Sequence, residues 1–233
     1  MATRTPEGPP PVVPPRVAAD LAATDASALE DGAVLDGVVI AAADTDATGV
    51  GGCVDLSLTG SRLAGLRLTG VTWESSVVVD SVIAGCELSG ATLADARWER
   101  VEVTGCRMSG LVAAELRARN VRFVDCQLDG AWLRSAILDR CAFEDCDLSA
   151  ADLLGARLTD VRFVGCRLDE AELSSARTEG KVALHGSTFA GARGLQALRN
   201  LVIAHDQALP LALPLLAANG ITVDDTYLDP PPR

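Results

Sequence analysis

Cysteine is the residue type best equipped for chemistry in this 233-residue chain, and five of its seven cysteines, Cys86, Cys106, Cys126, Cys146 and Cys166, recur every 20 residues. Thiolates at a fixed spacing could ligate a soft metal, pair as disulfides or act as nucleophiles. No histidine shares the series. The two histidines, His185 and His205, stand in no metal spacing and no nucleophile–base spacing that a fold would bring together. Each cysteine of the series is instead followed two positions later by an apolar residue: Leu88, Met108, Leu128, Leu148 and Leu168. A fixed period of this length with no 3.6-residue signal means a stacked coil, each turn of which adds one residue to a column through the interior. The thiols then read as small buried hydrophobes. Adjacent coils lie about 4.8 Å apart, within disulfide reach, but stacked Cβ vectors run parallel rather than toward each other. Asp125 and Asp145 stack on one corner with no acid–base partner, and Gly70, Gly90, Gly110 and Gly130 recur as turn residues, not as a phosphate loop before a helix. The sequence therefore argues against an enzyme and calls for no metal and no cofactor.

The elements that hold these residues follow from a finer period, because 20 divides into four fives. Stepping by five from Leu58 gives Leu63, Leu68, Trp73, Val78, Ile83 and Leu88, and so on through Phe123, Phe143 and Phe163 to Leu173, all apolar. Two residues before each lies a second, mostly small series, including Ser81, Cys86, Ala91, Ala96 and Val101. Two of every five side chains therefore point inward. Where the pattern breaks, Leu111 precedes Ala113 and Leu116 precedes Ala118, exchanging large and small so that interior volume is kept.

Repeats of the form A-x-L-x-x, as in Ala151-Asp152-Leu153-Leu154-Gly155-Ala156-Arg157-Leu158, resemble the pentapeptide-repeat family. The resemblance covers most of the chain and implies an all-β solenoid, a right-handed quadrilateral parallel β-helix with one pentapeptide per face and a short C-terminal helical cap. About eight coils of 20 residues over residues 29–203 would make a rod roughly 40 Å long. The segment GLQALRNLVIAHDQALPLALPLLAANGITV is similar to the tail of actinobacterial members. In the family such a helical element often supports two-fold dimerisation, with rods end to end.

Interruptions and ends complete the organisation. Residues 1–28 and 223–233 are Pro-rich and polar and read as flexible tails. Ala33-x-Leu35 and Val38-x-Ile40 keep the five-residue rule out of phase with Leu58, which assigns 43–52 to an irregular loop. A one-residue slip near Gly180 and Lys181 reads as a bulge. Both rod ends need covers. Residues 204–222 supply one, with Asp206 as the expected N-cap of a helix over residues 207–218 and Asn219-Gly220 as its stop. Its leucines, Leu209, Leu213 and Leu216 among them, exceed one narrow stripe and are the candidate cap or dimer residues. No apolar run is long enough to span a membrane and the proline-rich N-terminus is unlike a secretory signal, so the expected location is the cytoplasm.

With the interior filled, function is left to the outside. The net charge of −12 is uneven: residues 1–57 carry nine acids and two arginines, −7, and residues 58–180 carry 19 acids and 14 arginines, −5. One face of the rod is acidic, with Glu74, Asp95, Glu115, Asp152 and Glu172 against Arg134, and Val112, Trp132 and Leu154 outward beside them. An outward tryptophan in a polar surround is either a contact site or a single aromatic lying flat on its neighbours. Another face carries Arg97, Arg100, Arg117, Arg119, Arg140, Arg157 and Arg177, interleaved with Glu99, Asp139 and Asp160. It reads as a salt-bridged surface, with no direct binding of nucleic acid. Two functions fit. One is a non-enzymatic protein-binding or scaffolding rod acting through its outer faces. The other, implied by the family resemblance, is a DNA mimic that binds DNA gyrase and protects it from quinolone-type inhibitors.

Overall fold

A computed structural model describes residues 8–42 and 52–223. The expected loop over 43–52 falls outside the described residues except for Gly52, as do residues 1–7 and 224–233 of the tails.

Every side of the coil is five residues long because the fifth residue turns the corner. From Asp55 to Gly180 each fifth position has a positive φ, as at Asp80 (48°), Asn120 (53°) and Gly130 (63°). The left-handed turn redirects the chain and sends the corner N–H along the rod axis, as Gly85 N–H donates to the Thr104 carbonyl (2.8 Å) and Asp125 N–H to the Glu144 carbonyl (3.0 Å). Between corners, each residue pairs in parallel with its counterpart one coil away: Arg97 with Arg117, Phe123 with Phe143, and Trp73 with Leu93. The result is a parallel β-solenoid of about nine turns, each coil with four five-residue sides, closed by one short C-terminal helix. One turn more than the sequence count arises because Ala22–Thr24 already pairs with Val38–Ala41.

The inward pair of each pentapeptide forms the core. Cys86, Cys106, Cys126, Cys146 and Cys166 are each 1–2% exposed, and their column runs beside Leu88, Met108, Leu128, Leu148 and Leu168. Phe123, Phe143 and Phe163 stack with centroids 4.7 and 5.1 Å apart. Size alternates along columns: Trp73 lies over Cys53, and Trp98 lies between Val78 and Ala118. Both indoles bury Nε1 without an acceptor, a cost of about 1–3 kcal/mol each, set against the large apolar area of the rings. The slip near residue 180 is a bulge: Thr159 pairs with Glu179, but Val161 pairs with Val182.

Two expectations for the ends are corrected. Residues 8–28 do not form a loose tail. Residues 8–17 lie along one corner of the rod with Pro9 buried, and Ala22–Thr24 and a short 3-10 turn, Ala26–Ala28, start the first coil. Five prolines between residues 9 and 15 fix φ and lower the entropy lost on docking. Asp206 is not the helix N-cap. A 3-10 turn, His205–Gln207, leads into α1, Ala208–Ala218, and Gln207 is the anchor. Its Oε1 accepts from Ala204 N–H (2.9 Å), and its Nε2 donates to the carbonyls of Leu184 (2.6 Å) and Ser187 (2.7 Å) in the last coil. Asn219 and Gly220 end the helix as expected, with Gly220 at φ 73°.

The thiol column gives a direct check. Cys126→Ala removes one small buried group and should cost about 1 kcal/mol, whereas Cys126→Asp buries a charge without a partner and should prevent folding. Equal melting temperatures for the two variants would show that the column is not interior.

Candidate functional site

The cysteines are spent on structure. All seven are free and buried, and no described group of three or more His, Cys, Asp or Glu residues is placed to hold a metal ion. Six of the thiols, those from Cys86 to Cys166, donate to the carbonyl two residues back, as Cys126 Sγ does to Val124 (3.3 Å) and Cys141 Sγ to Asp139 (3.6 Å). Ser61 and Ser81 make the same bond to Thr59 and Val79, at 2.7 Å, so the position asks for a small donor rather than for sulfur. Burial pushes the Cys141 thiol up to about 12 and that of Cys53 up to about 11, which keeps both protonated at neutral pH.

The acidic face resolves into three columns. Val112, Trp132, Asp152 and Glu172 form one ladder with Thr92 below and Arg193 above. Glu74 pairs with Ala94 in the next column, which continues coil by coil through Arg134 to Leu154. Asp95 and Glu115 occupy a corner, both at positive φ and exposed. The structure thus brings the predicted residues onto one strip, but it does not leave them equally charged. Arg134 Nε bonds Asp152 Oδ2 (2.6 Å), and its guanidinium lies 5.6 Å from the centroid of the Trp132 ring. Arg193 reaches Glu172 (3.8 Å), a pairing that the regular spacing does not predict, because the residue inserted at the bulge brings Arg193 rather than Ala192 into register with Glu172. Glu74, Asp95 and Glu115 enter no ion pair among the described residues. Trp132 is 53% exposed.

The arginine face also divides by column, into arginines that are salt-bridged and arginines that are solvated. Arg100 pairs with Asp80 (2.7 Å) and with Glu99, while Arg119 and Arg140 both reach Asp139 at 3.2 Å. Arg97, Arg117, Arg157 and Arg177 lie in one outward ladder with Val77 and Ile137. All four are exposed and outside every ion pair among the described residues. Alternate positions on a strand belong to different columns, so counting charge over a whole face had merged the two sets.

At the C-terminal end, Leu211 is 7% exposed and Leu215 packs against the rod, whereas Leu209 and Leu213 point outward at 70% and 48% exposure. Leu209 and Leu213 are therefore not cap residues, and Leu216 is only half-buried.

Residues 96–173, four successive coils, match the family described as a pentapeptide repeat region. The same corner at every fifth residue and the same inward pairs continue on both sides of that span. Over those four coils the chain is a pentapeptide repeat region. No curated protein matches it. Among solved structures, a trypsin-treated form of QnrB1, a plasmid-mediated fluoroquinolone resistance protein, is 18% identical over 88% of this chain and 100% of its own, with a TM-score of 0.46. HetL, a pentapeptide repeat protein involved in heterocyst differentiation regulation from the cyanobacterium Nostoc sp. strain PCC 7120, is 18% identical over 70% and 85%, with a TM-score of 0.45. Rfr23 from the cyanobacterium Cyanothece 51142 is 18% identical over 53% and 64%, with a TM-score of 0.19. No helix among the described residues is long and apolar enough to cross a membrane.

Carboxylates bonded within and between coils make the rod acid-sensitive. The Arg100 guanidinium holds Asp80 below the usual carboxylate range, the Ser89 hydroxyl does so for Glu87, and Arg122 does so for Glu144. Each is depressed in the fold, so its contribution is complete above the unfolded value near 4 and is lost as the pH falls through the folded one. Melting temperature should be flat from about pH 7 to 5 and drop below about pH 4. Arg122→Met should lower it at pH 7 while flattening the drop, and an unaltered acid limb in that variant would contradict the assignment.

Proposed function

We propose that this pentapeptide-repeat rod is a non-catalytic, protein-binding scaffold whose contact surface is the strip formed by Glu74, Asp95, Val112, Glu115, Trp132, Asp152, Leu154 and Glu172. The observation that carries this reading is the posture of Trp132. A half-exposed indole is held by the Arg134 guanidinium, which Asp152 fixes in turn, so a large aromatic is presented in one orientation on a rigid ladder. Presenting an ordered aromatic limits the entropy lost on contact, and such side chains dominate interface energetics. Val112 and Leu154 extend the apolar centre, and the unpaired Glu74, Asp95 and Glu115 form an acidic border. The complementary partner is a protein with an apolar pocket edged by arginine or lysine.

The reading as a DNA-mimicking ligand of gyrase has less support. Such a surface needs an unbroken row of unpaired acids. Here Arg134 and Arg193 neutralise Asp152 and Glu172, and a neighbouring face exposes Arg97, Arg117, Arg157 and Arg177. We expect no effect on gyrase supercoiling, or on cleavage with a fluoroquinolone, at micromolar protein. Protection that is lost on reversing Glu115 and Asp152 to Lys would reverse the order of the two readings. Under the scaffold reading, Trp132→Ala lowers affinity for the partner at least about tenfold with an unchanged melting temperature, matching loss of a central aromatic. A partner bound equally well by the Trp132→Ala rod would remove this strip as the contact surface.

A second copy of the chain is the proposed occupant of the apolar end formed by Leu209, Leu213 and Ile221, all exposed. Light scattering should give the mass of a dimer, and Leu213→Asp should return it to that of a monomer. A wild-type monomer at about 100 μM would exclude the pairing, since a self-association this weak has little standing free energy.

A further inference from the structure

The N-terminal strap and the corner beneath it share a period. Arg16 N–H donates to Asp80 Oδ1 (3.1 Å), Val13 N–H donates to Asn120 Oδ1 (3.3 Å), and the Pro10 carbonyl accepts from Arg162 Nη2 (2.7 Å). The step from Arg16 to Val13 on the strap therefore matches the step from Asp80 to Asn120 on the rod, which is two coils. A polyproline-II chain advances about 9.3 Å over such a step and completes one turn. Two coils advance about 9.6 Å. The strap thus turns the same backbone edge toward the rod every second coil.

The corner is built to that step. Its side chains alternate along the rod as Asp80, Arg100, Asn120, Arg140 and Asp160, so an acceptor recurs every second coil with an arginine between. Arg100 is drawn off to Asp80 and Glu99, and Arg140 to Asp139, while Asp80 Oδ1 and Asn120 Oδ1 accept from the strap. At Asp160 the strap offers Pro10, which has no N–H, and the Asp160 carboxylate instead accepts from Lys181 N–H (2.9 Å) in the bulge. Under the strap Asn120 is only 5% exposed, whereas the corner at Asp125 and Asp145 is open. Gly8 and its neighbouring prolines border a cleft of about 840 Å³ edged by Asp160, Lys181, Asn200 and Val202, with Pro9 buried and Gly8 and Pro10 exposed.

We propose that this corner is a docking track for extended proline-rich peptides, filled in cis by residues 8–17 and open to a partner's proline-rich segment when the strap lifts. The partner is an extended polyproline-II peptide with a free backbone N–H at every third residue, running from the C-terminal end of the rod toward its start. Polyproline segments suit such exchange because they are pre-extended and lose little entropy on docking. Recognition rests on two backbone donors, one carbonyl and a matched repeat, and it lies on a different surface from the Trp132 strip.

The test uses the full chain. Val13→Pro with Arg16→Pro removes both strap donors while remaining compatible with the extended conformation. A fluorescein-labelled peptide, GPPPVVPPRVA, identical to residues 8–18, is titrated into this variant and followed by anisotropy. The track should bind it at least about tenfold more tightly than the unaltered chain does, because a tethered ligand competes at high local concentration. Adding Asn120→Leu should weaken that binding at least about tenfold, in line with loss of a buried acceptor. Failure of the peptide to bind the strap variant, equal binding to the unaltered chain, or indifference to Asn120→Leu would each overturn the proposal. Should the strap variant not fold, trypsin cleavage after Arg16 in the otherwise unaltered Asn120→Leu chain decides instead: a rate raised about tenfold supports the track, as expected for a freed segment, and an unchanged rate overturns it.

Discussion

A left-handed residue at every fifth position is the constraint on which the rest of this molecule depends. Outside glycine, that conformation costs about 1 kcal/mol or more per residue, and here Asp, Asn, Ser, Glu and Arg all adopt it. What offsets the cost is the direction in which it sends the backbone: corner N–H groups such as those of Gly85, Glu115, Asp125 and Ala150 point along the rod and find carbonyls of the next coil. Corners fix sides of five, sides of five put two side chains inward, and the coil closes at 20. Thiols, phenylalanines and leucines then stack because the backbone has already chosen their neighbours.

The interior was legible for that reason. A column of Cys86 through Cys166 with apolar residues two positions on fits a stacked coil and little else, and the large–small exchanges at Leu111/Ala113 and Leu116/Ala118 are found buried as the volume argument requires. The outside was legible only in part. Arg193 joins Glu172 because one inserted residue at the bulge changes every later register, and the bulge was visible while its electrostatic consequence was not. The strap was misread because a proline-rich segment has the composition of a loose tail. Only its partners on the rod, the acceptors Asp80 and Asn120 two coils apart and the donor Arg162 beyond them, distinguish it, and nothing in the segment points to them. Gln207 was missed because its partners are backbone carbonyls, which carry no signature in sequence.

Charge on such a surface is a property of columns rather than of faces. Two arginines on one side of the same coil can differ completely: Arg117 is open to solvent while Arg119 is tied to Asp139. The same holds for acids, with Asp152 neutralised and Glu115 free. A rod of low aromatic content and net charge −12 therefore presents narrow stripes of opposite sign side by side, with one ordered tryptophan among them.

The matched repeat at the strapped corner also bears on how this gene can change length. Solenoids grow by duplicating coils, and one added coil leaves every interior column intact. A single coil, however, equals about one and a half residues of polyproline chain, so one duplication beneath the strap would set an arginine where an acceptor had been. Two together restore the phase. The N-terminal segment thus acts as a vernier on the rod, admitting growth between Asp80 and Asp160 by pairs of coils and resisting the addition of a single one.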